Sequence, residues 1–285
     1  MLLNALLLVL VTCSVSAQSV LKKSYNVKTG HRGAFLFSAV SVLVAALFFL
    51  ALSGGRLTFT MAVVPYALGF ALSYGLAVLM SFLAIRCGSL SLTSLVTSYS
   101  LVIPTLYGLA FLGEEVGILF YIGLALLLIS LFMMNGARRE SKISLPWVAA
   151  TFLAFLGNGI CSTVQTVQQK TFAGQYKNEM MVLALLFVAA VMLLLALLCE
   201  RGEILPAMKS GGTRAALCGL LNGLCNLLVM HLAVRMNASI MFPVISAGGI
   251  LLTGVASLFV YRERLSRGQS LALLLGTAAI VLMSI

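Results

Sequence analysis

The sequence predicts an all-α integral membrane protein: ten transmembrane helices, arranged as two inverted five-helix repeats around a central cavity. Three observations lead there. Hydrophobic residues make up 61% of the 285 positions and charged residues only 9%, with seven Glu and no Asp. A soluble domain carries about 25% charged residues, so most of this surface must face lipid. Second, the apolar residues fall into ten runs of near-bilayer length, since about 20 apolar residues cross the hydrocarbon core as a helix. Third, one stretch occurs twice. Ala84-Ile85-Arg86 leads through an apolar segment to Glu114, and Ala233-Val234-Arg235 leads through another to Glu263. Arg and Glu are 28 residues apart in each copy, and the copies lie 149 apart.

The runs follow in order. Helix 1 is expected over about 1–18. Its end, Val15-Ser16-Ala17, is one a signal peptidase could cut, but no basic region precedes the apolar core and a basic cluster follows it. Thr12 is also a poor residue before a lipoprotein cysteine at Cys13. A further match decides for a retained helix. Gln18-Ser19-Val20-Leu21-Lys22-Lys23-Ser24-Tyr25 shares the pattern Gln-[Ser/Thr]-Val-x-x-Lys-[Ser/Thr]-aromatic with residues 165–172, at an offset of 147. A cleaved signal has no reason to match an internal segment.

Helix 2 is expected over about 34–52, closed by Ser53-Gly54-Gly55-Arg56. Helix 3 takes about 63–85, with Pro65 in its first turn, where a missing N–H is harmless. Helix 4 takes about 90–112, interrupted by Pro104, and helix 5 about 116–134. The polar stretch 136–145, with Arg138, Arg139, Glu140 and Lys142, separates a first repeat (1–135) from a second (146–285). Helices 6 to 10 then take about 146–167, 180–199, 213–234, 239–261 and 266–284. Five is odd, so a second unit enters the membrane from the opposite side to the first. Such inverted repeats are the plan of many secondary transporters.

The net charge of +11 does not mark a nucleic-acid binder, because the basic residues sit in short gaps between apolar runs rather than on one face. The six cysteines lie in or beside apolar runs with no CxxC spacing, and read as small apolar fillers rather than a zinc site or disulfide framework. No metal and no cofactor is expected.

Two further stretches carry a family resemblance. Phe242-Pro243-Val244-Ile245-Ser246-Ala247-Gly248-Gly249, followed by Tyr261-Arg262-Glu263-Arg264-Leu265-Ser266 and the run around Gly276, is similar to the last two helices of the EamA-type branch of the drug/metabolite transporter superfamily. Leu112-Gly113-Glu114-Glu115, followed by Ile122-Gly123, resembles the same junction in the first half. The resemblance covers nearly the whole chain through short, degenerate motifs. It departs in helix 1, where many relatives have Trp-Gly and this chain reads Val11-Thr12-Cys13-Ser14; the one Trp is Trp147. The resemblance implies a carrier of small organic metabolites or drugs, in a bacterial cytoplasmic membrane, as a monomer or homodimer, with no enzymatic activity.

Fourteen of the eighteen Lys and Arg lie in the gaps after odd-numbered helices and four in the gaps after even-numbered ones. The positive-inside rule then places both termini outside. The resemblance implies termini inside, so orientation stays open.

Ionisable residues at membrane depth are costly and usually functional, but no Glu falls inside a predicted helix core. Glu114 and Glu263 are expected at helix starts, where a carboxylate satisfies free N–H groups and meets the positive dipole end. The polar helical residues concentrate in helices 1, 3, 4, 6, 8 and 9, while helices 2, 5, 7 and 10 are nearly pure Leu, Val, Ala and Phe. A polar cavity walled by the first group follows, with the second facing lipid. Its candidates are Ser14, Gln18, Tyr66, Tyr74, Ser98, Tyr99, Asn158, Gln165, Gln169, Asn222, Asn226 and Ser246. Lys22, Lys23, Lys170 and His231 are candidates for a charge role.

Each candidate has a plainer reading. Asn222 and Asn226 share a helix face and suit interhelical hydrogen bonds as well as a cavity wall. The Ser/Thr run of helix 4 suits bonds to its own carbonyls, and Gly219-x-x-x-Gly223 suits close helix packing. His231, the one histidine in a predicted helix, sits near a helix end. Gln18 and Gln165 recur at one depth in both halves, each with Lys five residues on, and suit a cavity or a repeated fold-specific bond. A secondary transporter, exporter or exchanger, is the function these readings favour. An intramembrane enzyme needs acids or a metal cluster at depth. A channel or scaffold fits the apolar helices but gives inversion no purpose.

Overall fold

The computed structural model describes residues 2–30, 32–87, 93, 96–97, 99–135, 144–261 and 267–284. Among these are ten α-helices, two short 3-10 turns and no strand. The helices are α1 (Leu2–Thr29), α2 (Ala34–Leu52), α3 (Val64–Cys87), α4 (Val102–Phe111), α5 (Ile118–Asn135), α6 (Leu145–Thr171), α7 (Lys177–Cys199), α8 (Ile204–Arg235), α9 (Ala238–Tyr261) and α10 (Arg267–Ser284). Six of them, α1, α2, α3, α6, α7 and α8, are long and apolar enough to cross a membrane, which makes the chain a multi-pass integral membrane protein.

Two boundaries differ from expectation, for one physical reason. Hydropathy reports lipid exposure, whereas a helix continues wherever its backbone is bonded and its side chains find partners. So α1 runs eleven residues past Gln18, carrying Lys22 and Lys23 inside a helix rather than a loop. Its last turns are held by Tyr25, which is buried and donates its hydroxyl to the Gly33 carbonyl at 2.8 Å. Gly33 itself sits at φ +69°, a left-handed conformation that turns the chain from α1 into α2. Likewise α8 begins at Ile204 rather than near 213, because Gly211 lies under the Tyr25 ring and belongs to a packed helix. The interruption expected at Pro104 takes the form of a 3-10 turn over Tyr99–Leu101, between helical residues at 93, 96 and 97 and α4, which holds Pro104 in its first turn.

The helices pack across the halves more than within them. α1 packs chiefly on α8 and α9, α3 on α6 and α7, and α2 on α7 and α8. α4 packs on α9 and α6, and α5 on α10. Exchanging each helix n with n+5 relates these main contacts, so that α1–α8 becomes α6–α3 and α1–α9 becomes α6–α4, whereas the α9–α10 and α6–α8 contacts have no counterpart of similar extent among the described residues. The largest apolar core joins α2, α3 and α7, with Phe49, Phe70, Met180, Leu185 and Met192 each buried. The apolar helices α2 and α7 are therefore more than a lipid-facing shell. Each buries one face, while Leu186, Phe187, Leu194 and Leu198 of α7 stay exposed as a lipid-facing surface would.

Small residues set the closest approaches. A Cβ at Gly157 of α6 would fall 2.6 Å from the Ser73 carbonyl oxygen and 2.9 Å from the Ala77 nitrogen of α3. On α8, Gly219 lies against the Ser41 carbonyl of α2, and a Cβ at Gly223 would fall 2.6 Å from the Phe48 ring. The Gly219-x-x-x-Gly223 spacing thus serves close packing of α8 on α2.

Candidate functional site

Four polar side chains from three helices form one hydrogen-bonded chain. Gln165 of α6 donates its amide to Asn226 Oδ1 at 3.1 Å. Asn226 donates to Asn222 Oδ1, one turn back on α8, at 2.5 Å. Asn222 in turn donates to the Tyr74 hydroxyl of α3 at 3.2 Å. Asn222 and Asn226 meet because positions four apart share a helix face. Gln165 is buried, while Tyr74, Asn222 and Asn226 are half-buried. Bonds of this kind between membrane helices contribute about 0.6–2 kcal/mol each. The chain has a direction, and these bonds leave the Tyr74 hydroxyl proton and the Gln165 amide oxygen for another partner.

A second arrangement sits at one end of the bundle. Glu114, between α4 and α5, accepts the backbone N–H groups of Ala238 and Ser239, both at 2.9 Å. It also pairs with the Lys170 ammonium at 2.5 Å, its own side chain 3% exposed. Burial alone would push the Glu114 carboxyl up. The Lys170 ammonium and the Ser239 and Ala238 N–H groups outweigh it, so Glu114 ionises below the usual carboxylate range. The expected helix-start carboxylate is thus corrected in one respect. Glu114 lies four residues before α5 and caps α9, a helix of the other half, because the α4–α5 loop folds over that terminus.

Other candidates serve local structure. Ser14 is buried and donates back to the Leu10 carbonyl of its own helix at 2.8 Å. Gln18 is half-buried on α1. The Tyr66 ring stands edge-on to Phe172 with centroids 5.7 Å apart. Gln169 is buried and donates to Gln168, whose own amide donates to the Gln175 carbonyl at 3.1 Å. Asn158 joins α6 to the 3-10 turn before α4 by donating to Ser100 Oγ at 2.6 Å. Tyr99 donates to the Leu128 carbonyl at 3.1 Å. Tyr99 and Ser246 line one cleft of about 10 Å³, together with Leu124, Leu127 and Pro243. That is room for about one water, not for an organic solute.

Of the charged candidates, Lys170 holds Glu114, Lys23 is half-buried, and Lys22 is exposed. His231 is half-buried near the end of α8. Ser98 and Glu263 lie outside the described residues. Tyr74, Gln165, Asn222 and Asn226 are therefore brought together, while Ser14, Tyr66 and Gln169 are committed elsewhere.

Sequence reasoning missed two glutamates. Glu200 follows α7 and accepts the Phe35 and Leu36 N–H groups at the start of α2, both at 3.0 Å. Glu179, in the first turn of α7, accepts the N–H and hydroxyl of Thr58 at 3.1 and 3.2 Å. Both are buried. The available signal was a lone acid at the edge of a long apolar run, which must find donors when it folds inward.

No family model matches the sequence, and no curated protein matches it. Among solved structures, a crystal structure of another protein superposes with a TM-score of 0.79 at 15% identity, over 98% of this chain and 95% of that one. At that identity the likeness is one of fold.

Proposed function

We propose that the chain is a secondary transporter of small organic metabolites, an exporter or exchanger, working by alternating access between two inverted five-helix repeats. The observation that supports this reading is the packing of the halves on each other, whose main contacts (α1–α8 with α6–α3, α1–α9 with α6–α4, α2–α8 with α7–α3) are related by exchange of helix n with n+5. Ten spans would then comprise the six long helices together with α4, α5, α9 and α10. An odd-numbered unit used twice runs through the bilayer in opposite directions, and exchange of its two conformations opens each side in turn. The Tyr74–Asn222–Asn226–Gln165 chain joins α3, α6 and α8 where the two units meet, and supplies donors and acceptors for a polar solute. The EamA-type resemblance agrees.

Proteoliposomes test the reading. Preloaded with unlabelled solute, they should take up the labelled one transiently and saturably, the signature of a carrier. Flux that rises without limit would mean a channel. Gln165→Ala should cut this flux at least about tenfold while folded yield stays near wild type. A collapse of yield instead would make Gln165 purely structural. Gln18→Ala, at the repeat-related position, is expected to impair flux in the same way.

A further inference from the structure

Lys22 is a cation on the part of α1 that packs beside α8. It is exposed, and among the described residues no carboxylate pairs with it. Its level is fixed by its neighbours. The Tyr25 ring packs at Gly211, and Arg214 Nε donates to Ser24 Oγ at 2.8 Å, so this part of α1 lies beside residues 211–214 of α8. Helix side chains tilt toward the helix N-terminus. For Lys22 that direction runs away from the α1–α2 loop and along α8 toward higher numbers. Its ammonium accordingly lies within electrostatic reach of the Cys218 and Cys225 thiols. Positions 218, 222 and 225 share one face of a helix, so Lys22 overlies the face that bears Asn222. A lysine reaching for the interface would point the other way.

The repeat shows which of these groups lack a like partner in the other half. Lys23 and Lys170 are the lysines that the two halves share, and Lys170 holds Glu114. Lys22 has Gln169 at its repeat-related position, 147 residues on. Asn226 and Tyr74 have Ala77 and Gly223 at theirs, 149 residues away. Gln165, with Gln18 at its repeat-related position, is the member of the polar chain that both halves share. A group in one half only breaks the two-fold symmetry, as an asymmetric solute requires.

We infer that the carrier's solute is an organic anion, its acidic oxygens held by Lys22 and its hydrogen-bonding remainder seated on the Asn222–Asn226–Gln165–Tyr74 chain. This rests on the transporter reading above. An exposed ammonium that no carboxylate pairs with offers three hydrogen-bond donors and a full positive charge to an anionic solute. Ammonium-to-oxyanion hydrogen bonds are also about twice as strong as neutral ones, so charge decides the class and the amides choose within it.

The test is thermal stabilisation of purified protein by matched pairs: lactate and lactamide, succinate and succinamide, glucose 6-phosphate and glucose. At least one anion should stabilise the wild type where its uncharged mate does not. Lys22→Gln should weaken that effect at least about tenfold, Lys22→Arg should keep it within about threefold, and Lys28→Gln should leave it unchanged. Phosphatidylglycerol added against phosphatidylcholine separates a soluble anion from a lipid headgroup. Stabilisation by no soluble anion, equal stabilisation by the uncharged mates, an unaffected Lys22→Gln, or a response to phosphatidylglycerol alone overturns the assignment. Saturable counterflow of an uncharged solute would sink the anion class and leave the carrier standing.

Discussion

Replacing Glu114 with Ala is expected to destabilise the protein by on the order of 3 kcal/mol, the scale on which breaking a buried ion pair acts. The loss has two parts. Lys170 is left without its counter-charge, and the Ala238 and Ser239 N–H groups at the start of α9 lose their acceptor. Glu114→Gln keeps one acceptor oxygen and should fall between wild type and Glu114→Ala. Combining Glu114→Ala with Lys170→Met should cost less than the sum of the two, because the second change removes the stranded cation. Melting temperatures of the purified proteins check all three.

The same carboxylate sets a pH dependence. Its folded pKa is below the ordinary value of 4.5, so its contribution is fully present above that value. It is lost as the pH falls through 4.5 toward the lower folded value. The stability gap between wild type and Glu114→Gln should therefore be constant near neutrality and close below about pH 4.5. A gap that widens on acidification would mean that Glu114 is protonated in the folded protein.

Gly157→Val is the second large effect. A Cβ there meets the backbone of Ser73 and Ala77 at 2.6 and 2.9 Å. Neither can rotate away, so α3 and α6 must separate. Overpacking of this kind costs about 1–3 kcal/mol. It also pulls Tyr74 away from the α6–α8 side of the polar chain. Gly75→Ala on α3 is the control, since its Cβ meets nothing within 4 Å. Folded yield and melting temperature should drop for Gly157→Val and hold for Gly75→Ala. Equal behaviour of the two would show that α3 and α6 are not in close register.

Much of the fold was legible because lipid leaves only a few signals to read. Among the described residues the long apolar runs are helical, the fourth broken by a 3-10 turn, and the Gly219–Gly223 spacing marks a helix contact. The polar chain was half legible: Asn222 and Asn226 are four apart, and Gln165 belongs to the repeated motif. That these meet Tyr74 was not legible, because the bond spans 148 residues and depends on how α3 and α8 settle. The partner of Glu114 was hidden for the same reason, 124 residues away. Lys22 and Lys23 were read as loop because hydropathy falls at two lysines, although buried neighbours such as Tyr25 keep the helix going.

Opposite-face labelling tests most directly the claim that one five-helix unit is used twice in reversed orientation. Single cysteines at Glu115 and at Arg264, its counterpart 149 residues on, would be placed in a chain with the six native cysteines replaced. A membrane-impermeant maleimide would then be applied to sealed right-side-out and inverted vesicles. The account predicts that each vesicle orientation labels one position and protects the other. Labelling of both from the same face would contradict it.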